Sequence, residues 1–223
     1  MTADPWLLDL GCGPGGLSVG YHRAGFNILG VDIKPQPRYP FRFVQADMFQ
    51  AIDTWNLSRF AAIVTSPPCQ DHMKTPTHNQ KLHGTGWMLA AMRKRLQAQP
   101  LPWIIENVVG APMRPDYELC GCMFPELHCR SKRWFETSWQ GFELIPPHDH
   151  SREVLNRFRT MHGPYFRRTG RVPTRRQVAA AMGIDWTAGS EHQQAVPPPF
   201  GEFMGKRLMQ VISEGKGIVY ADR

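Results

Sequence analysis

The sequence predicts an α/β fold, a doubly wound and mostly parallel sheet with a small basic lobe, on three observations. Short apolar runs recur along the chain (Trp6 to Leu10, Phe26 to Val31, Phe41 to Gln45, Phe60 to Val64, Trp103 to Ile105), each followed closely by glycine, proline or an acid. Segments of helical spacing, Leu17 to Ala24 and Trp87 to Leu96, lie between them, and alternation of strand and helix builds parallel sheets. Finally, Arg152 to Arg176 holds eight arginines against one acid, Glu153, a stretch too charged to be core.

Length and charge set limits. A chain of 223 residues, 42% of them hydrophobic, can bury one sizeable core with an appended lobe but not two full domains. We divide it at a polar break carrying Pro146-Pro147 and His148-Asp149-His150, into a main lobe (1–137), a small basic lobe (138–190) and a C-terminal segment (191–223) that returns to the first. No apolar run is long enough to span a bilayer and no charged-then-apolar leader is present. With five cysteines, an odd number, reduced thiols in a cytoplasmic compartment are expected, and the chain is read as a monomer. The net charge of +7 and pI near 9.4 favour a polyanionic partner.

The first strand, Trp6 to Leu10, carries Asp9 and runs into Gly11-Cys12-Gly13-Pro14-Gly15-Gly16. Glycines there permit positive φ and close backbone approach to a ligand, and the helix that follows points its amide end at it. Gly11, Gly13 and Gly16 also satisfy the dinucleotide spacing, so spacing does not choose the cofactor. The second strand ends in Asp32-Ile33, about twenty residues on, where an acid accepts from ribose hydroxyls; the alternative is a turn aspartate before Pro35. The third ends in Asp47-Met48. Three successive acidic strand ends suit an adenosine ligand without phosphates, and so S-adenosylmethionine rather than a nicotinamide.

The fourth strand leads into Thr65-Ser66-Pro67-Pro68-Cys69-Gln70, which sets a thiol on a stiff loop at the sheet's ligand-binding edge. Taken alone, Cys69 reads first as a buried structural cysteine, because free cysteines are most often small core residues. Together with Asp9-Leu10-Gly11-Cys12-Gly13-Pro14-Gly15-Gly16, Val31-Asp32, Ala46-Asp47 and Glu106-Asn107-Val108, however, Pro67-Pro68-Cys69-Gln70 resembles the ordered motifs of the DNA cytosine-5 methyltransferases, above all the compact phage-type members. The resemblance spans most of the chain outside about 138–190.

It implies an S-adenosylmethionine-dependent enzyme that methylates carbon 5 of a cytosine extruded from double-stranded DNA, with Cys69 adding to carbon 6 and Glu106 serving ring nitrogen 3. No metal is implied. Cofactor contacts then fall to Asp9, Gly11, Gly13, Asp32, Ile33, Asp47, Met48 and Pro67, and substrate contacts to Pro68, Gln70 and Asn107. Partial burial at the end of Trp103 to Ile105 is expected to raise the Glu106 pKa. The main rival, methylation of an exocyclic amino group, shares Ser66-Pro67-Pro68 but needs an aromatic at position 69 to stack on the base. RNA as substrate, and a silent nucleic-acid-binding protein that keeps the fold, are the further alternatives.

The segment His72 to Gly86, with three histidines, reads as a flap over the base, and the spacing of His72, His78 and His83 fits no standard zinc pattern. Cys120-Gly121-Cys122 with Cys129 and either His128 or His148 would make a zinc site. A Cys-x-Cys pair is closer than the usual knuckle, so core cysteines are expected. The block Arg130-Ser131-Lys132-Arg133 resembles the family's Arg-x-Arg, which makes Arg133 catalytic, but Ser131 stands at the other arginine position and Arg130 or Lys132 is left to substitute. The basic segment matches the target-recognition region in placement. Arg167, Arg168, Arg175 and Arg176 are its candidate DNA contacts, with Thr174 to Met182 a candidate recognition helix. After Pro197-Pro198-Pro199 a last helix is expected over about Glu202 to Glu214.

Overall fold

The computed structural model describes residues 4–68, 86–139, 145–151, 155–156 and 164–215. Cys69, Gln70, the flap with His72, His78 and His83, and Arg152, Arg157, Phe158 and Arg159 lie outside the described residues.

The apolar runs become the strands β1 (Trp6–Leu10), β2 (Asn27–Asp32), β3 (Arg42–Gln45), β4 (Ala62–Thr65) and β5 (Trp103–Asn107), all parallel. Two further strands, β6 (Tyr117–Cys120) and β8 (Lys132–Thr137), complete a sheet of order β3-β2-β1-β4-β5-β8-β6, in which β8 is antiparallel to both neighbours. The order reverses at β1 and β4, the crevice where open α/β sheets bind ligands. A two-residue pair, β7 (Cys129–Arg130) with β9 (Leu155–Asn156), stands apart from it.

Successive residues of a strand face opposite sides. Leu8, Leu10, Val31, Ile63, Trp103 and Ile105 pack on one side under α2 (Met48–Thr54) and α3 (Trp87–Gln97). Leu7, Ile28, Val64, Ile104 and Phe135 face the other side, covered by α1 (Gly16–Arg23) and α6 (Pro198–Ser213). Both faces are thus buried, which explains strands that read as continuous apolar runs.

Helices α1 and α6 touch backbone to backbone through glycines spaced four apart on each. A Cβ at Gly20 would lie 2.0 Å from the Pro198 carbonyl oxygen, and one at Gly201 2.3 Å from that of Leu17. α6 begins four residues before the expected start, because prolines at its first positions carry no amide hydrogen that the helix needs.

The basic segment holds α4 (Pro164–Thr169) and α5 (Arg175–Ala181), close to the helix read from sequence. Thr174 caps α5, its hydroxyl accepting from Gln177 N at 3.2 Å while the Gln177 side chain accepts from Thr174 N at 2.8 Å. Its inner residues Val178, Ala179 and Ala181 belong to the same apolar cluster as Phe124, Leu127 and Phe200. Arg175 and Arg176 are exposed.

Candidate functional site

Three loops converge at the C-terminal edge of the parallel strands. The first, after β1, is the glycine loop, where Gly11, Gly13 and Gly15 take φ of 74°, 50° and 87°. Only glycine adopts such angles without strain. A Cβ at Gly11 would stand 2.9 Å from the Ser66 carbonyl oxygen, so the lack of a side chain lets this loop approach the Ser66-Pro67-Pro68 loop after β4. Above Gly13, by contrast, a Cβ would meet nothing nearer than Gln194 O at 3.9 Å, which leaves its backbone open to a ligand.

The acids at the strand ends differ in their work. Asp32 accepts from Gly13 N at 3.0 Å and from Lys34 N at 2.9 Å, so it braces the glycine loop and its own turn at once. Asp47 caps α2 by accepting from Phe49 N and Gln50 N. Asp9 is buried and accepts from Ser18 Oγ, which accepts from Tyr39 OH at 2.8 Å. Burial pushes its carboxyl up to about 7, against the Ser18 hydrogen bond and with Asp32 and Glu106 adding negative charge. Ile33 is 64% exposed, an apolar side chain left in the open beside Asp32, whereas Met48 is buried near Gly11.

At the end of β5, Glu106 and Arg133 form a buried ion pair, Arg133 Nε to Glu106 Oε1 at 2.8 Å, with 9% and 7% of the Arg133 and Glu106 side chains exposed. Burial raises the Glu106 pKa, as its position implied, while Arg133 and a hydrogen bond with Ser66 pull it back. Asn107 Nδ2 donates to Pro67 O at 3.1 Å and Asn107 Oδ1 accepts from Val108 N. Glu106 and Asn107 together therefore hold the loop whose next residues are Pro68 and Cys69.

Arg133, Glu106, Asn107 and Pro67 are thus brought together. Arg130 is not. Burial alternates along Cys129 to Arg133, so Ser131 shares the inner side with Arg133 while Arg130 and Lys132 project outward, to His150 O at 3.4 Å and Glu118 Oε1 at 2.8 Å. Arg167 and Arg168 lie exposed on α4. The sequence reading missed Ser18, Tyr39 and Trp186. Trp186 Nε1 donates to Pro14 O at 2.8 Å and seats the stretch before α6 on the glycine loop, a hydrogen bond across 172 residues that no spacing signals.

The strand order, the single antiparallel strand between β5 and β6, the glycine loop after β1 and the acid after β2 define the fold of the S-adenosylmethionine-dependent methyltransferases. The chain matches, over nearly its whole length, solved structures of methyltransferases. A protein described as a DNA modification methyltransferase encoded within an Escherichia coli prophage aligns over 94% of this chain and 99% of its own, with a TM-score of 0.61 at 15% identity. The Dnmt2 methyltransferase of Schizosaccharomyces pombe aligns over 92% and 98%, with a TM-score of 0.61 at 14% identity. The methyltransferase EhMeth of Entamoeba histolytica covers 96% and 99%, with a TM-score of 0.58 at 12% identity. No protein-family model matches the chain, and no curated protein sequence does. Among the described residues no helix is long and apolar enough to cross a membrane.

Proposed function

We propose that the chain methylates carbon 5 of cytosine in double-stranded DNA, using S-adenosylmethionine as methyl donor. The observation that carries this reading is the buried Glu106–Arg133 pair, tied through Ser66 and Asn107 to the loop that continues into Cys69. An amino methyltransferase has no need of a buried carboxyl and arginine beside a cysteine-bearing loop. Likeness to the prophage protein supports DNA as the substrate.

The open backbone at Gly13, the Asp32 carboxylate and the exposed Ile33 fit an adenosine, with Asp32 at the ribose, Ile33 on the adenine face, and Asp47 and Met48 at its far edge. When bound there, the cofactor supplies an electrophilic methyl. Cytosine carbon 5 is too weak a nucleophile to take it unaided. In the proposed course the Cys69 thiolate forms a bond to carbon 6, and the Glu106 carboxyl, oriented by Arg133, gives a hydrogen bond or its proton to ring nitrogen 3, where the negative charge gathers. Carbon 5 would take the methyl group and leave S-adenosylhomocysteine; the proton on carbon 5 then passes to water, and the electron pair it leaves expels the Cys69 thiolate from carbon 6. Pro68, Gln70 and Asn107 shape the base pocket, and Arg167, Arg168, Arg175 and Arg176 neutralise phosphates.

A duplex bearing 5-fluorocytosine tests this, because after methyl transfer no proton remains to be lost. A cofactor-dependent covalent complex that survives denaturation is expected, and Cys69→Ser should abolish it together with turnover. Methylation of normal DNA by Cys69→Ser would refute the mechanism. Trapping on RNA but not DNA would move the substrate and keep the chemistry.

A further inference from the structure

Away from the strand edge, two segments meet in a way the site above does not use. Cys120 ends β6, Cys122 lies in the 3-10 turn Gly121–Met123 that follows, and His148 and His150 come from the polar stretch 145–151. Their four ligand atoms, two thiol sulfurs and two imidazole nitrogens, all lie within 4.8 Å of one another. Cys122 Sγ is 3.3 Å from His148 Nδ1 and Cys120 Sγ is 3.8 Å from His150 Nε2. A tetrahedral zinc with its usual bond lengths sets sulfur and nitrogen ligands about 3.3–3.8 Å apart, so the cation fits between them with little movement.

We propose that Cys120, Cys122, His148 and His150 form a structural zinc site. Three observations beyond the cluster support it. The outer nitrogen of His148, Nε2, faces Glu118 Oε1 at 3.8 Å, the carboxylate behind imidazole that orients zinc-bound histidines. The rings of His148 and His150 stand edge to face at 72°, so each turns a nitrogen inward without stacking on the other. And residues 147–151 are exposed, without a place in a strand or helix, so little apolar burial holds the stretch where it lies.

Four protein ligands leave no position for substrate, which makes the site structural and not catalytic. Zinc would staple the stretch 145–151 to the end of β6 and so fix where the basic segment leaves the sheet. Cys129 and His128, the other ligands considered from sequence, take no part: Cys129 is fully buried in the core, with its main chain paired to β9, and His128 is outside the cluster. The Cys-x-Cys spacing works because the sharp turn at Gly121, where a Cβ would lie 2.1 Å from Cys129 O, brings both thiols to one side.

The test is metal content of the full chain, purified with reductant and without chelator. One zinc per chain is expected, falling to about one-fifth or less in Cys122→Ser and in His148→Ala and unchanged in His128→Ala. Should the variants fail to fold, cobalt added to metal-stripped wild-type protein gives a second reading, with the strong red-region bands of a tetrahedral site and thiolate charge transfer in the near ultraviolet. Zinc-free wild-type protein that takes up no cobalt overturns the proposal. So does zinc retained at full stoichiometry by Cys122→Ser, which would place the metal elsewhere.

Discussion

Replacing Arg133 by methionine removes a charge and keeps most of the stem, and its cost can be worked from the pair it breaks. At 2.8 Å the ions attract by roughly 6 kcal/mol at an effective dielectric constant of about 20, most of it offset by desolvation of two side chains that are less than a tenth exposed. Removing one partner strands the other, at a cost of about 3–5 kcal/mol. Glu106 then loses both Arg133 influences that lower its pKa and keeps the burial that raises it. A carboxyl whose folded pKa is raised is stable while protonated, and its contribution is lost as pH rises through the folded value. Arg133→Met should therefore be more destabilising at about pH 8.5 than at about pH 5.5. Urea denaturation followed by tryptophan fluorescence reads both, and adding Glu106→Gln should restore most of the loss at the higher pH. Equal destabilisation at the two pH values, or no rescue in the double variant, would refute a buried charge pair at this position.

Three further outcomes are expected. Gly201→Ala sets a methyl 2.3 Å from the Leu17 carbonyl, a backbone atom that cannot turn aside, and should cost on the order of 2–3 kcal/mol, a fall in melting temperature of roughly 4–12 °C by calorimetry. Asp32→Ala frees Gly13 N and should weaken S-adenosylmethionine binding by about 1–3 kcal/mol in titration calorimetry, and unchanged affinity would take Asp32 out of the site. Replacing Arg167 and Arg168 together by alanine should lower DNA affinity and flatten its salt dependence by about 0.9 in slope for each phosphate no longer neutralised, while an unaltered slope would place both side chains off the DNA.

The parallel strands were legible because both their faces are apolar, so continuous runs such as Ile104-Ile105 leave no competing pattern. Strand β8 was not, for a physical reason. Its buried residues Arg133 and Glu136, one on each face, are charged and satisfied by Glu106 and Arg93, partners distant in sequence, so neither face reads as a continuous apolar stripe. Helix α2 is seven residues long and is started by the Asp47 cap, a residue that also reads as a strand-end acid. Glu106, Asn107 and Arg133 were found by motif, yet nothing in the motif shows that Arg130 projects to the opposite side. The glycine crossing had a sequence signal, Gly16-x-x-x-Gly20 and Gly201-x-x-x-Gly205, overlooked because its two halves lie some 180 residues apart.

That crossing also sets a timetable. Helix α1 leaves the ribosome first, and the backbone that seats on it, from Val196 to Gly205, is made some 180 residues later. At roughly 5–20 residues per second, the glycine-lined face of α1 waits on the order of 10–40 s for its cover. Until then the nascent chain carries an open flank beside the glycine loop, and the wall that Trp186 and Val196 build there comes last. A nascent protein is therefore expected to gain ligand affinity in one step, when α6 arrives, and not by degrees as the sheet grows.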